Sequence, residues 1–117
     1  MHDEQLDRLR EICRALPEAA ESVSVHHPSF KVRGKTFAMA ADGDGRPSLW
    51  VKATAGTQRE LLAGDPERFF VPPYLGPRGW VGVRLDHRPD WTEVAELVTD
   101  GYRLAAPKRL VRVLDEG

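Results

Sequence analysis

Hydrophobic residues at Leu6, Leu9, Ile12, Cys13 and Leu16 recur three and four positions apart, which predicts an amphipathic helix that Asp3 caps and Pro17 ends. The opposite face pairs Glu4 with Arg8 and Asp7 with Arg10, spacings that give weak surface pairs on a solvated side. Strand-like segments follow at Ser22 to His26, Phe30 to Arg33, Thr36 to Ala41 and Ser48 to Ala53. HHP, RGK and DGDGRP separate them, and the last two suit tight antiparallel connections, so this region reads as a meander. Thr57 and Glu60 form a capping box for a short helix through Leu61 and Leu62 that closes near Gly64. Strand character returns at Trp80 to Leu85. Asp90 and Glu93 then open a helix whose Trp91, Val94, Leu97, Val98 and Tyr102 form one stripe. Gly101 interrupts that stripe and predicts either a close backbone contact or an early helix end. Pro107 can start a last short helix with Lys108, Arg109 and Arg112 on one side and Leu110, Val113 and Leu114 on the other.

Strand alternation separates two faces. Phe30, Val32, Leu49, Val51, Val81, Val83 and Leu85 belong to the side packed by helices. Lys31, Arg33, Trp50, Lys52, Trp80 and Arg84 belong to the other, a mixed basic and aromatic surface. Such a surface suits nucleic acid, because bases stack on flat rings while cations follow the phosphates. Half-covered tryptophans shielded by lysine stems or by a loop are the ordinary structural use of the same residues. The segment FFVPPYLGPRGWVGVRL, 69 to 85, leads into the last strand. Its prolines stiffen the backbone, and Gly76-Pro77-Arg78-Gly79 suits a type I turn, so the segment presents Tyr74 and Arg78 beside Trp80. That stiffness serves either binding or a lid packed over the sheet.

Length and composition then set bounds. A chain of 117 residues with 41% hydrophobic and 30% charged residues can bury one core, and the whole of 1–117 is expected to form a single domain. A formal charge of −1 excludes a globally basic nucleic-acid binder and leaves only a local patch. From Pro28 to Arg59 six basic residues face only Asp42 and Asp44, whereas Met1 to Ser22 holds three basic and six acidic ones. The acidic N-terminal segment has no signal-peptide character and no apolar run spans a bilayer, so a cytoplasmic protein with no membrane contact is expected. Cys13 is the only cysteine, has no intrachain disulfide partner and reads as a core residue.

No glycine-rich phosphate loop, nucleophile elbow, HExxH or paired cysteine cluster is present, so no enzyme is expected. The adjacent His26 and His27 point to opposite faces of an extended segment and read as structural. Asp3, Asp7 and Glu11 align four apart as oxygen ligands would, but Arg8, Arg10 and Arg14 are interleaved with them and neutralise their field. No metal and no cofactor are expected.

The ordered strings HPSFKVRGKTFAMA, SLWVKA, LLAGDPERFFVPPYLGPRGWVGVRLD and WTEVAELVTDGYRLAAPKRL, spread from His27 to Leu110, resemble the MmcQ/YjbR family of small bacterial proteins. The resemblance implies an α+β fold similar to the frataxin-like CyaY proteins, an antiparallel β-sheet backed on one face by N- and C-terminal helices. It also implies a double-wing DNA-binding arrangement with strand hairpins as wings. The matching positions are His27, Pro28, Phe30, Gly34, Lys35 and Phe37, then Lys52, and then Pro73, Tyr74, Gly79 and Trp80; Gly101 departs from the small non-glycine residue expected there. The resulting expectation is a monomeric nucleic-acid binder, for DNA by the resemblance. Lys31, Arg33, Lys35, Lys52, Arg78 and Arg84 would meet phosphate, and Trp50, Tyr74 and Trp80 would stack. Lys108, Arg109 and Arg112 extend the patch if the last helix lies on the same side. The alternative is an interaction or regulatory module that takes a small molecule or protein in a pocket under the Tyr74 loop, lined by Trp50, Tyr74 and Trp80.

Overall fold

A computed structural model describes residues 3–23, 27–42, 45–86 and 88–117, without the side chains of Asp3 and Val23. His26, the end of the first expected strand and the centre of the DGDGRP turn lie outside these residues. The elements run α1 (Asp3–Arg14), β1 (Ala20–Val23), β2 (Pro28–Val32), β3 (Lys35–Ala41), β4 (Ser48–Val51), α2 (Ala55–Gly64), β5 (Phe69–Phe70), β6 (Val81–Arg84), α3 (Trp91–Ala105) and α4 (Lys108–Glu116). A 3-10 turn covers Gly76–Arg78. The six strands form one antiparallel sheet in the order β1-β2-β3-β4-β6-β5. The fold is therefore α+β, as expected. Among the described residues no helix is long and apolar enough to cross a membrane.

The meander is built by local chemistry. Arg33 and Gly34 both have positive φ, 49° and 79°, the backbone of a two-residue hairpin turn whose twist matches the flanking strands. One residue of β3 is extra: Phe30 pairs with Ala38 but Lys31 with Thr36, so Phe37 bulges. The bulge lets Phe37 and Ala38 both be buried, and Phe37 meets Tyr102 of α3 edge-on, with centroids 5.6 Å apart.

Leu9 and Cys13 of α1 and Val94, Val98 and Tyr102 of α3 close over Phe30, Val32, Leu49, Val51, Val81 and Val83 of the sheet, and all belong to one buried cluster. Tyr102 Oη donates to Pro17 O at 2.7 Å, tying α3 to the end of α1. Asp90 caps α3, its Oδ1 accepting from Thr92 N and Glu93 N at 3.0 and 3.2 Å. Glu93 does not complete the box, because its carboxylate pairs with Arg68. Gly101 lies inside α3, and of its two expected roles the close contact holds: an added Cβ would sit 2.8 Å from Lys52 O and 3.2 Å from Phe37 O.

Two elements differ from expectation. The cap of α2 is Thr54, three residues before Thr57; its Oγ1 accepts from Thr57 N at 3.2 Å, so the amide that starts the helix lies earlier than the capping box implies. The segment before the 3-10 turn also contains the edge strand β5, too short to show a period.

Candidate functional site

From the 69 to 80 segment, Phe70 reaches the sheet face opposite the helix-packed core while Phe69 joins that core. Phe70 pairs with Gly82, and its ring lies where a side chain at position 82 would stand, so the absence of a Cβ there admits the ring. Pro72 is buried, and Leu75 N and Gly76 N donate to Pro73 O and Pro72 O at 2.7 and 3.0 Å. The stretch expected to form a type I turn is the 3-10 turn, closed by Gly79 N donating to Gly76 O at 3.0 Å. Gly79 has φ +89° and packs against the start of α2, where a Cβ would come within 2.9 Å of Ala53 O and Ala55 N. From α2, Gln58 Nε2 donates to Gly76 O and Trp80 O at 3.0 and 2.6 Å. These contacts hold the loop as a lid edge, and they leave Trp80 only 4% exposed.

A cleft of about 420 Å³ opens between this loop and the ends of β3 and β4. Lys35, Thr36, Lys52 and Arg78 supply its polar walls, and Met39, Leu75, Trp80 and Leu104 its apolar ones. Lys35 follows the Arg33-Gly34 turn. Lys52 is set by β4, its N donating to Phe37 O at 2.9 Å beside Gly101, and Arg78 ends the 3-10 turn. Among the described residues no carboxylate lines the cleft. Among the described residues none of the three cations joins an ion pair, whereas Arg10, Arg33, Arg46, Arg68 and Arg103 all meet carboxylates. Three uncompensated positive charges around one hollow favour an anion with several acceptor oxygens.

Of the nine residues singled out from the sequence, Lys35, Lys52, Arg78 and Trp80 share this cleft and the other five do not line it. Tyr74 is the immediate neighbour of Leu75 and is 94% exposed. Lys31 is half-buried, opposite Thr36 in register. Trp50 is half-buried between Met39 and Gly82 in register, 6.2 Å from the His27 ring, and its buried Nε1 has no hydrogen-bond partner. Arg33 turns away from the sheet face to Glu18, with two contacts at 2.8 and 3.1 Å. That hydrogen bond holds the Glu18 carboxyl below its ordinary range. Arg84 stacks on Phe70, 4.2 Å from its centroid, and lines a second cleft with Arg46, Arg68 and Asp86. Arg109 is 3.7 Å from Glu18. The bare face therefore carries divided charges rather than one continuous basic surface.

Sequence reasoning missed Thr36, Met39, Leu75 and Leu104 as lining residues and Gln58 as the clamp. Leu104 follows Leu97 by seven residues at the edge of the apolar stripe of α3, yet it is 46% exposed, so helical phase alone does not mark it as a lining residue. A third hollow, between α1 and α3, carries Arg8 and Arg103 together with Glu11, Glu96 and Asp100, a mixed lining with no charge preference.

The sequence matches the YjbR family over residues 14–104. Among solved structures, a Deinococcus radiodurans protein of the DUF419 domain family is 25% identical, with a TM-score of 0.75, covering 85% of this chain and 76% of its own. A Pseudomonas syringae protein is 14% identical with a TM-score of 0.66, covering 90% and 99%, and shares the fold. No curated protein matches.

Proposed function

The chain belongs to the YjbR family, and on that premise we propose that it is a non-enzymatic nucleic-acid binding protein whose phosphate contacts are Lys35, Lys52 and Arg78. The convergence of these three cations, without a carboxylate among the lining residues of their cleft, carries the reading. A buried or paired guanidinium has little left to offer a phosphate, so Arg33 contributes little, and Arg84 serves its own stack on Phe70. Binding of this kind releases counterions and must weaken as salt rises.

Fluorescence anisotropy with a labelled oligonucleotide at two salt concentrations tests it. Each cation removed by Lys35→Gln, Lys52→Gln or Arg78→Gln should lower the salt slope by about one unit. Arg84→Gln should leave it unchanged. Absence of binding at low salt refutes the proposal.

A second reading is favoured by Trp80, which is buried in the wall of the cleft instead of lying open on the surface. A small phosphorylated molecule would suit the same cations, since about 420 Å³ is within the range of small-ligand sites. A mononucleotide that competes fully with the oligonucleotide supports this second reading.

A further inference from the structure

We infer that the nucleic acid at this site is single-stranded, with one base stacked on Tyr74 and the adjoining phosphate in the Lys35, Lys52 and Arg78 cleft. This rests on the phosphate reading above and adds the strandedness and the base contact.

Tyr74 is 94% exposed, and among the described residues neither its ring nor its hydroxyl has a partner. Its φ of +66° lies in the left-handed region, where a bulky side chain is strained and glycine is not. The fold thus gains no packing from this ring and holds it in a conformation that glycine would adopt more easily. What the position provides is presentation. Pro72 is buried, Pro73 has a fixed φ, and the turn bonds from Leu75 N to Pro73 O and from Gly76 N to Pro72 O hold the backbone on both sides. The ring therefore projects from a stiff support, which lowers the entropic cost of contact.

Leu75, the next residue, already lines the cleft. Adjacent Cα atoms are about 3.8 Å apart, so the backbone of Tyr74 stands at the rim of the cleft that Leu75 lines. In a duplex both faces of each base are covered by neighbours, so a tyrosine beside the backbone finds nothing to stack on. A single strand can splay a base outward and bend its phosphate into a hollow. The concave placement of the cations suits that flexible backbone better than the stiff, convex outline of a duplex.

Anisotropy titrations at low salt with labelled oligothymidylate and with a closed hairpin duplex of similar length test this. The single strand should bind at least about tenfold tighter, and Tyr74→Ala should weaken it by about tenfold or more. Tyr74→Trp should retain binding. Tyr74→Gly should raise the melting temperature while weakening the single strand, a separation that a structural role for the ring would not give. Equal or tighter duplex binding overturns the inference. So does an unchanged Tyr74→Ala titration when Lys52→Glu abolishes binding, a result that leaves the phosphate reading standing. If neither probe binds, the phosphate reading fails and the inference fails with it.

Discussion

Gly101 of α3 lies against the carbonyl of Lys52, so close that a Cβ would stand 2.8 Å from that oxygen. The contact joins the fold to the site. α3 can approach the ends of β3 and β4 only where it has no side chain, and that approach fixes the backbone from which Lys52 extends.

Gly101→Ala should therefore destabilise the protein although alanine is the better helix former. The atoms met are the backbone oxygens of Lys52 and Phe37 and a methyl of Val51, none of which is the free end of a long side chain. Overpacking of this kind costs about 1–3 kcal/mol, more than the roughly 1 kcal/mol gained in propensity. Thermal unfolding should show a melting temperature several degrees lower.

Gln58→Ala should loosen the loop without disturbing the sheet. It removes two donors, to Gly76 O and Trp80 O, for a loss of about 1–2 kcal/mol. Hydrogen exchange should quicken at residues 75 to 80 and stay slow in β3 and β4. Oligonucleotide affinity should fall with it, because Arg78 and Leu75 lose their fixed positions.

Much of this arrangement was legible in the sequence where the signal is local. The stripe of α3, the cap at Asp90 and the Arg33-Gly34 turn depend on residues within a few positions of one another, and each is found where expected. The alternation that separates Leu49 and Val51 from Trp50 likewise holds. What was not legible depends on partners distant in the chain. Arg33 shares the periodicity of Lys31, yet a carboxylate at Glu18, on the far side of β1, captures it. The Phe37 bulge is a property of the register between two strands and not of either strand alone. Trp80 keeps the phase of an exposed residue, but the preceding loop folds back and buries it. Leu104 reaches the cleft through the packing of α3 on β3, which its helical phase does not convey.

Stability should decline on the alkaline side. Burial raises the Cys13 thiol and the Tyr102 phenol above their ordinary pKa values, so both stay protonated in the folded state after the unfolded chain has released its protons. The contribution is complete below a pH of about 8.5, where unfolded cysteine begins to ionise, and is lost as pH rises beyond it, with tyrosine adding to the fall above about 10. Denaturant midpoints between pH 7 and 10 should drop accordingly. Cys13→Ala should be less stable at neutral pH but flatter from pH 8 to 9.5.

Amide chemical shifts locate the phosphate contacts residue by residue. In a titration of isotopically labelled protein with an oligonucleotide at low salt, the largest changes should fall at Lys35, Thr36, Lys52 and Arg78 to Trp80, with Tyr74 following. Changes confined to the Arg46, Arg68 and Arg84 cleft, or to the groove between α1 and α3, would contradict this placement.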